Sequence, residues 1–167
     1  MARPRSIPDD DIFAAIRTAL ARDGEKAVAF GPVAQMTGLA APSLVQRYGS
    51  RDGMVRAALL DGWQKLAART ELVDDPHPHG LLKALTEPAT LMTDPALMAV
   101  TLRDPALAQS AQDWRTQVET LLTLRMGGGA KGREAATLLF AAWMGQVQWL
   151  RAGGKGFRLK DAARRLT

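Results

Sequence analysis

The sequence predicts an all-α protein, and three observations support this fold class. Apolar residues recur at helical spacing along most of the 167-residue chain, as Ile12, Ile16 and Leu20 illustrate. No segment shows the sustained alternation of apolar and polar residues that a strand bounded by hairpin turns requires. Glycine and proline lie where helices commonly end and begin. An apolar fraction of 47% is ordinary for a folded globular protein.

Three helices are predicted near the N-terminus. The first runs from about Pro8 to Arg22, with three aspartates in its first turn, where negative charge meets the positive end of the helix dipole. Gly24 can end this helix in a left-handed conformation. A short second helix is expected from about Pro32 to Thr37, and a third from about Pro42 to Tyr48.

The second and third helices have the spacing of a helix-turn-helix. Ala34 is small where a second helix would cross the first, and Gly38 tolerates the positive φ that a tight turn often needs. Val33, Leu39 and Leu44 can then fill the wedge between the two helices.

The stretch from Gly38 to Met54, GLAAPSLVQRYGSRDGM, resembles the sequence pattern of the tetracycline-repressor (TetR) family of transcriptional regulators. That pattern has a glycine and an aliphatic residue, a short polar or small run, Thr/Ser-Leu-Tyr, two variable residues, an aromatic, and then Ser-Lys-Glu and a leucine. The resemblance covers about residues 8–60. It implies a three-helix DNA-binding head, residues 1–50, on a helical body, residues 51–167, that binds an effector and dimerises.

Three positions depart from the family pattern. Val45 replaces a tyrosine that usually contacts a phosphate, Ala29 replaces the threonine that opens the second helix, and Ala40 replaces the serine that caps the third. Three polar contacts are therefore missing, which bears on DNA affinity more than on the fold.

By resemblance, the third helix is the recognition helix that lies in the major groove of double-stranded DNA. Glutamine pairs well with adenine and arginine with guanine, so Gln46 and Arg47 can read base edges; Arg47 can instead hold a phosphate. Arg51 replaces the family lysine that holds the DNA backbone, and the N-terminal arm can reach phosphates or a minor groove. The predicted DNA-binding residues are Arg3, Arg5, Ala41, Ser43, Gln46, Arg47 and Arg51.

The body is also predicted to be helical. A long helix runs from Arg51 to about Arg69, with Ser50 as its N-cap, and a loop covers Asp74 to Gly80. Asp94-Pro95 and Asp104-Pro105 each resemble an N-cap followed by a first-turn proline. The further predicted helices are residues 81–93, kinked or broken at Pro88, about 105–126, ending at Gly127 to Gly129, about 133–152, and Phe157 to Leu166.

The helix over residues 133–152 is apolar on almost all sides from Ala135 to Met144, so more than one of its faces must be buried. Family members commonly dimerise through their last two long helices, here about residues 105–126 and 133–152; the alternative is a central core helix in a monomer. The resemblance also implies a small effector, which we expect to be apolar or aromatic because no ionic anchor is obvious. The candidate lining is Trp63, Met92, Met98, Leu102, Trp114, Phe140 and Trp143, although plain core packing explains each of them too.

Several other classes of protein find no support in the sequence. The chain has no cysteine, and both of its histidines lie in the predicted loop, so we expect no catalytic site, metal site or cofactor. The stretch from Gly127 to Arg133 lacks the lysine and the preceding strand of a phosphate-binding loop. The N-terminus does not resemble a signal peptide and no apolar run approaches about 20 residues, so a cytoplasmic protein outside the membrane is expected.

A net charge of +5 favours polyanionic partners only weakly. The leading hypothesis is a ligand-responsive repressor that binds an operator as a homodimer. The alternative is a helical dimerisation or interaction module with degenerate DNA binding, and a third class, an enzyme in the helical body, has no catalytic motif behind it.

Overall fold

The computed structural model describes residues 7–153 and 156–166, with the exception of the side chain of residue 151. The described residues form α-helices joined by turns and by short 3-10 helices at Glu25–Val28 and Leu150–Ala152, with no strand, which confirms the predicted all-α class. Arg3 and Arg5 lie outside the described residues. The helices are α1 (Asp9–Asp23), α2 (Phe30–Thr37), α3 (Ala41–Tyr48), α4 (Arg51–Glu71), α5 (Pro78–Met92), α6 (Pro95–Arg103), α7 (Pro105–Arg125), α8 (Gly129–Trp149) and α9 (Leu159–Leu166).

The predicted helix starts at the capping residues agree with the structure. The Asp94 carboxylate accepts a hydrogen bond from the backbone N–H of Ala96 at 2.9 Å. The Asp104 carboxylate accepts from Ala106 and Leu107 at 3.0 and 3.2 Å. The Ser50 hydroxyl accepts from Gly53 at 3.0 Å. These bonds satisfy N–H groups that the first turn of a helix leaves without a helical partner.

The predicted loop over residues 74–80 needs correction at residues 78–80, and the helix is not broken at Pro88. Helix α5 begins at Pro78, because a first-turn proline has the right φ and its missing N–H costs nothing there. The helix continues through Pro88, with Leu85 and Ala89 buried on either side of it. Burial of this face stabilises the helix enough to offset the backbone hydrogen bond that the proline cannot donate. Helix α8 also starts earlier than predicted, at Gly129.

Packing divides the chain into two units, and each has its own core. Unit 1 consists of the residues up to Gln64 and residues 94–110. Trp63 is almost fully buried there and donates a hydrogen bond from its indole N–H to the Thr101 hydroxyl at 3.3 Å. Its core consists largely of aliphatic residues from α1 to α4 and α6: Ile12, Ile16, Leu20, Val28, Val33, Leu44, Leu59 and Leu97.

One charged side chain lies inside unit 1. Arg17 is 7% exposed. Its Nη1 donates to the backbone oxygen of Ala58 and to Oδ2 of Asp61, both at 2.7 Å. A buried guanidinium is tolerated only when its charge is compensated in this way. The two bonds link α1 to α4.

Unit 2 consists of residues 65–93 and the residues from 111 onwards. Trp114, Phe140 and Trp143 form an aromatic cluster with ring centroids 5.8–6.3 Å apart. Trp114 donates to the Thr70 hydroxyl at 3.1 Å and Trp143 to the Thr86 hydroxyl at 3.2 Å. Each buried indole N–H therefore has a partner, as burial requires.

The chain crosses between the units three times: within α4, between α5 and α6, and within α7. Unit 1 is therefore assembled from two separate stretches of chain. The predicted division into a head, residues 1–50, and a body, residues 51–167, is a division by function and stays a prediction. In residues 7–153 and 156–166, no helix has both the length and the apolar character needed to cross a membrane.

Candidate nucleic-acid interface

Helices α2 and α3 form a helix-turn-helix of the predicted kind. Gly38 ends α2 with φ 69° and ψ 15°, a left-handed conformation that glycine adopts without a steric penalty. Val33 of α2 and Leu44 of α3 are fully buried, and Leu39 in the turn is half-buried. These apolar contacts fix how α3 projects from the unit.

One face of α3 is open to solvent. Ser43, Gln46 and Arg47 are exposed on it and Ala41 is half-buried, whereas Leu44 points inward. Val45 is also exposed, at 44%. The predicted base-reading residues therefore lie on an accessible helix surface, and their contact with DNA stays a prediction.

Arg47, on that surface, is engaged with the N-terminus of α1. Its Nη1 lies 3.1 Å from Oδ1 of Asp9 and 3.4 Å from the backbone oxygen of Ile7. The Tyr48 hydroxyl donates to the same Asp9 oxygen at 2.5 Å. Burial and this hydrogen bond raise the pKa of Tyr48 to about 12. The Tyr48 ring packs against Phe13 of α1 with centroids 5.8 Å apart.

Arg51, the predicted phosphate contact, lies in a second ion-pair cluster. Its Nη2 donates to the backbone oxygen of Glu25 at 2.8 Å and lies 3.5 Å from Oε2 of that residue. Its Nη1 lies 3.0 Å from Asp52. Arg103 of α6 donates to the other oxygen of the Glu25 carboxylate. This hydrogen bond holds the pKa of Glu25 below its ordinary value, against the opposing effect of burial.

The three departures from the family pattern, Ala29, Ala40 and Val45, all lack a polar side-chain atom. Ala29 precedes α2 and Ala40 precedes α3 as N-cap residues, and neither helix receives a side-chain cap. Both positions therefore lack the hydroxyl oxygen that threonine or serine would supply to the first N–H groups. Val45 offers no polar atom to a phosphate.

The predicted effector-lining residues do not share one unit. Trp63, Met98 and Leu102 belong to unit 1, and the other four belong to unit 2. Leu102 is 67% exposed, so it lies on the surface of α6 and lines no enclosed space. Met92, Trp114, Phe140 and Trp143 are buried in unit 2. Their role in effector binding stays a prediction.

Sequence reasoning missed the partners of the arginines. The sequence suggests only a helix-dipole role for Asp9. The guanidinium of Arg103 contacts the carboxylate of Glu25, although the two residues are 78 apart in sequence. No local pattern predicts such a contact, although co-variation between related sequences could. His77 lies 3.1 Å from Asp75, but no group of three or more His, Cys, Asp or Glu side chains among the described residues could hold a metal ion.

No family model matches the sequence, and no curated protein is detectably similar to it in sequence. Solved structures, by contrast, resemble almost the whole chain. A transcriptional regulator from Rhodococcus sp. Rha1 is 21% identical with a TM-score of 0.69, covering 96% of this chain and 94% of that one. The TetR-family regulator PfmR from Thermus thermophilus is 16% identical with a TM-score of 0.64, covering 93% and 94%.

A third similar structure is described as a transcriptional regulator from Saccharomonospora viridis in complex with choline. It is 16% identical with a TM-score of 0.65, and the match covers 95% of this chain and 92% of that one. The likeness of all three lies in the fold, since their sequences have diverged widely. Together with the helix-turn-helix geometry, these matches identify the architecture: the chain has the fold of the tetracycline-repressor (TetR) family of transcriptional regulators.

Proposed function

We propose that this chain is a cytoplasmic, ligand-responsive transcriptional repressor, rather than an enzyme, that binds double-stranded DNA as a homodimer. The observation that carries the proposal is the helix-turn-helix with an open α3 surface, set within a fold that matches transcriptional regulators over more than 90% of the chain. In a helix-turn-helix protein, the second helix enters the major groove and its exposed side chains contact base edges.

Two residues of α3 have the chemistry for base recognition. Gln46 can bond to adenine through its amide, and Arg47 can bond to guanine through two N–H groups. Arg47 must first leave Asp9, a surface ion pair of the kind that is worth about 0–1 kcal/mol. A DNA contact can readily offset that cost.

Arg51 at the start of α4 would contact the DNA backbone. Phosphate contacts of this kind position the protein without reading sequence. The Arg51 side chain is 37% exposed and its partners are the surface groups of Glu25 and Asp52, so a phosphate can compete for it. Arg3, Arg5, Ala41 and Ser43 complete the proposed interface.

Dimerisation through α7 and α8 is supported by an apolar surface on α8. Leu138, Ala142, Gly145 and Trp149 recur at helical spacing; Leu138 is 50% exposed, Trp149 is 70% exposed and Ala142 is exposed between them. Leu124 of α7 is 70% exposed as well. Contiguous exposed apolar residues of this kind often mark a protein interface. A two-fold dimer is expected to present its α3 helices about 34–36 Å apart, or a multiple of that distance, to meet successive major grooves.

A small-molecule effector is the third part of the proposal. The similar regulator from Saccharomonospora viridis was solved with choline, which supports a small organic effector for this chain too. The aromatic and methionine residues of the sequence prediction remain candidates for its apolar contacts.

Selection of binding sites from a random DNA pool tests the DNA-binding proposal. We expect one sequence class to be enriched. Gln46→Ala or Arg47→Ala should change preference at particular base pairs by about 1–3 kcal/mol. Arg51→Ala should weaken binding to all sequences and lower the salt slope by about one unit, because one phosphate contact is lost.

Arg115→Ala is the matched control, because this exposed arginine pairs with Glu119 on α7 and belongs to unit 2, whereas the helix-turn-helix belongs to unit 1. It should leave the preferred sequence unchanged. If no sequence were enriched over non-specific binding, the repressor proposal would be wrong.

Sedimentation of Ala142→Glu tests the dimer. A carboxylate in the middle of the α8 apolar surface would be buried unpaired in the interface, so the variant should be monomeric at micromolar concentration. Leu72→Glu is the control, since Leu72 is 83% exposed just beyond the end of α4 and should leave the dimer intact. A monomeric parent protein, or an Ala142→Glu variant that stays dimeric, would contradict this interface.

One set of observations favours a second candidate, a helical interaction module with degenerate DNA binding. Helices α2 and α3 lack side-chain caps, Val45 cannot bond a phosphate, and both key arginines are paired within the chain. This candidate predicts a dimer without sequence-selective DNA binding. The random-pool selection therefore separates it from the repressor.

A further inference from the structure

Unit 1 contains a cavity of about 320 Å³ that the sequence did not predict. Its size is at the lower end of the range typical of small-molecule sites. One side is apolar, with Val55 and Leu107 buried to 4% and 1% exposure and Val100 half-buried. The cavity is also lined by the arginines Arg51, Arg56 and Arg103.

The arginines keep much of their surface free for a further partner. Their side chains are 37%, 54% and 64% exposed in the order Arg51, Arg56 and Arg103. Arg51 and Arg103 share the single carboxylate of Glu25. Arg51 also pairs with Asp52, whose carboxylate is 88% exposed, so water weakens that pair.

The third carboxylate of the cavity, that of Asp104, is held by backbone N–H groups as well as by an arginine. Oδ1 of Asp104 accepts from the N–H groups of Ala106 and Leu107 at the start of α7, and Oδ2 lies 2.7 Å from Nε of Arg56. Burial acts to raise the pKa of Asp104, but the hydrogen bond from Arg56 and the backbone bonds outweigh it and hold the pKa below its ordinary value. Asp104 is therefore a fixed part of the wall, whereas Glu25 is the group that an incoming anion can displace.

We propose that this cavity binds a small organic acid, with its carboxylate between Arg51 and Arg103 in place of Glu25 and its apolar part against Val55, Val100 and Leu107. Arginine is suited to this role because its planar N–H groups match the two oxygens of a carboxylate. The ligand class thus has one anionic end and an apolar body. The role of this acid as an effector rests on the proposed repressor function.

The position of Arg51 makes the ligand a competitor of DNA. The guanidinium that would hold the carboxylate is the group proposed to contact a DNA phosphate. A molecule that binds better to the DNA-free protein weakens DNA binding by a certain factor, and DNA weakens binding of the molecule by the same factor. The acid is therefore expected to act as an inducer.

Calorimetric titration without DNA tests the cavity, with benzoate and octanoate as probes and benzamide and octanamide as uncharged matches. At least one acid should bind at millimolar concentration or better, and its amide should bind at least tenfold more weakly. Arg103→Gln should weaken binding of the acid about tenfold, and Glu25→Gln should tighten it because the competing carboxylate is gone. Arg115→Gln, a surface arginine of unit 2, should change nothing.

Circular dichroism of each variant checks that it is folded. Absence of binding by both acids, equal binding of acid and amide, or an Arg103→Gln variant that binds like the parent would overturn the proposal. A Glu25→Gln variant that binds more weakly would also overturn it, because Glu25 would then support the site rather than compete for it.

A second arm measures DNA affinity with and without the acid that binds. A decrease supports the inducer role, and an unchanged affinity refutes it. If DNA selection fails while the acid still binds in the variant-sensitive way, the repressor proposal fails and the cavity proposal stands. If DNA selection succeeds and no acid binds, the repressor proposal stands and the cavity proposal fails.

Discussion

The two units differ in the chemistry of their long-range side-chain contacts. In unit 1, arginines and carboxylates make most of them, as in the pairs of Arg47 with Asp9 and Arg51 with Glu25. In unit 2, as at one tryptophan of unit 1, indole N–H groups bond to threonine hydroxyls, and here the aromatic rings also pack on one another. Surface ion pairs are weak and can be displaced by salt, acid or a competing anion, whereas buried aromatic packing cannot.

The difference indicates where the chain can respond to its surroundings. The arginines proposed to contact DNA and the proposed acid, among the described residues, are held by exchangeable ion pairs in unit 1. The aromatic cluster of unit 2 is the counterpart whose contacts are buried. Three substitutions and one titration test this contrast, from the largest expected effect to the smallest.

The largest effect is expected in the aromatic cluster. Trp143→Ala removes a side chain that is 1% exposed, together with its bond to Thr86, and should lower the free energy of unfolding by about 3–5 kcal/mol. Denaturant unfolding measures it. Trp149→Ala is the control, because Trp149 is 70% exposed and its loss should cost under about 1 kcal/mol in a monomer at low concentration. If both variants lowered the free energy of unfolding by a similar amount, the aromatic cluster would not be a major source of stability in unit 2.

The buried arginine of unit 1 should give the next largest effect. Arg17→Ala removes two bonds at 2.7 Å and should cost about 3 kcal/mol in denaturant unfolding, because both partners lie in a largely buried region. Arg22→Ala is the control: Arg22 is exposed on the same helix and pairs with its neighbour Asp23. An Arg17→Ala protein as stable as the parent would show that even the interior ion pair of unit 1 is dispensable.

A smaller effect is expected at Glu25, and it should depend on pH. The folded protein holds the pKa of Glu25 below its ordinary value, so this carboxylate stabilises the fold fully above about pH 4.5, and the stabilisation is lost as the pH falls through the folded value. Glu25→Gln should cost under about 1 kcal/mol at pH 7 and should flatten the acid limb of stability against pH. An unchanged acid limb would mean that the ion pairs of Glu25 add nothing to stability.

The smallest effect is spectroscopic. Tyr48 is the single tyrosine in the sequence, so the absorbance of the phenolate reports its ionisation alone. The midpoint should lie near pH 12 in the folded protein, and in the denatured chain it should lie near the ordinary value of about 10. Asp9→Asn should lower the folded midpoint, since a negative neighbour disfavours the phenolate. A midpoint that Asp9→Asn leaves in place would rule out the bond between α1 and α3.

The sequence was a good guide wherever the determinants are local. Helix starts at Asp94, Asp104 and Ser50 follow from capping chemistry, and the exposed face of α3 follows from its spacing around Leu44. The start of α5 at Pro78 was missed because a proline beside histidines was interpreted as part of a loop.

Tertiary contacts were beyond the reach of local patterns. Leu102 has the composition of a pocket residue but lies on the surface of α6. The partnership of Glu25 with Arg103, and the cavity beside it, depends on segments 78 residues apart. Periodicity and spacing carry no information at that separation.

The discontinuity of unit 1 has a consequence for how such proteins can evolve. A recombination event that replaced residues 1–64 with those of a relative would leave residues 94–110 behind. Thr101 would then face whatever replaced Trp63, and Arg103 whatever replaced Glu25. An exchange that keeps unit 1 intact would need to carry both stretches at once.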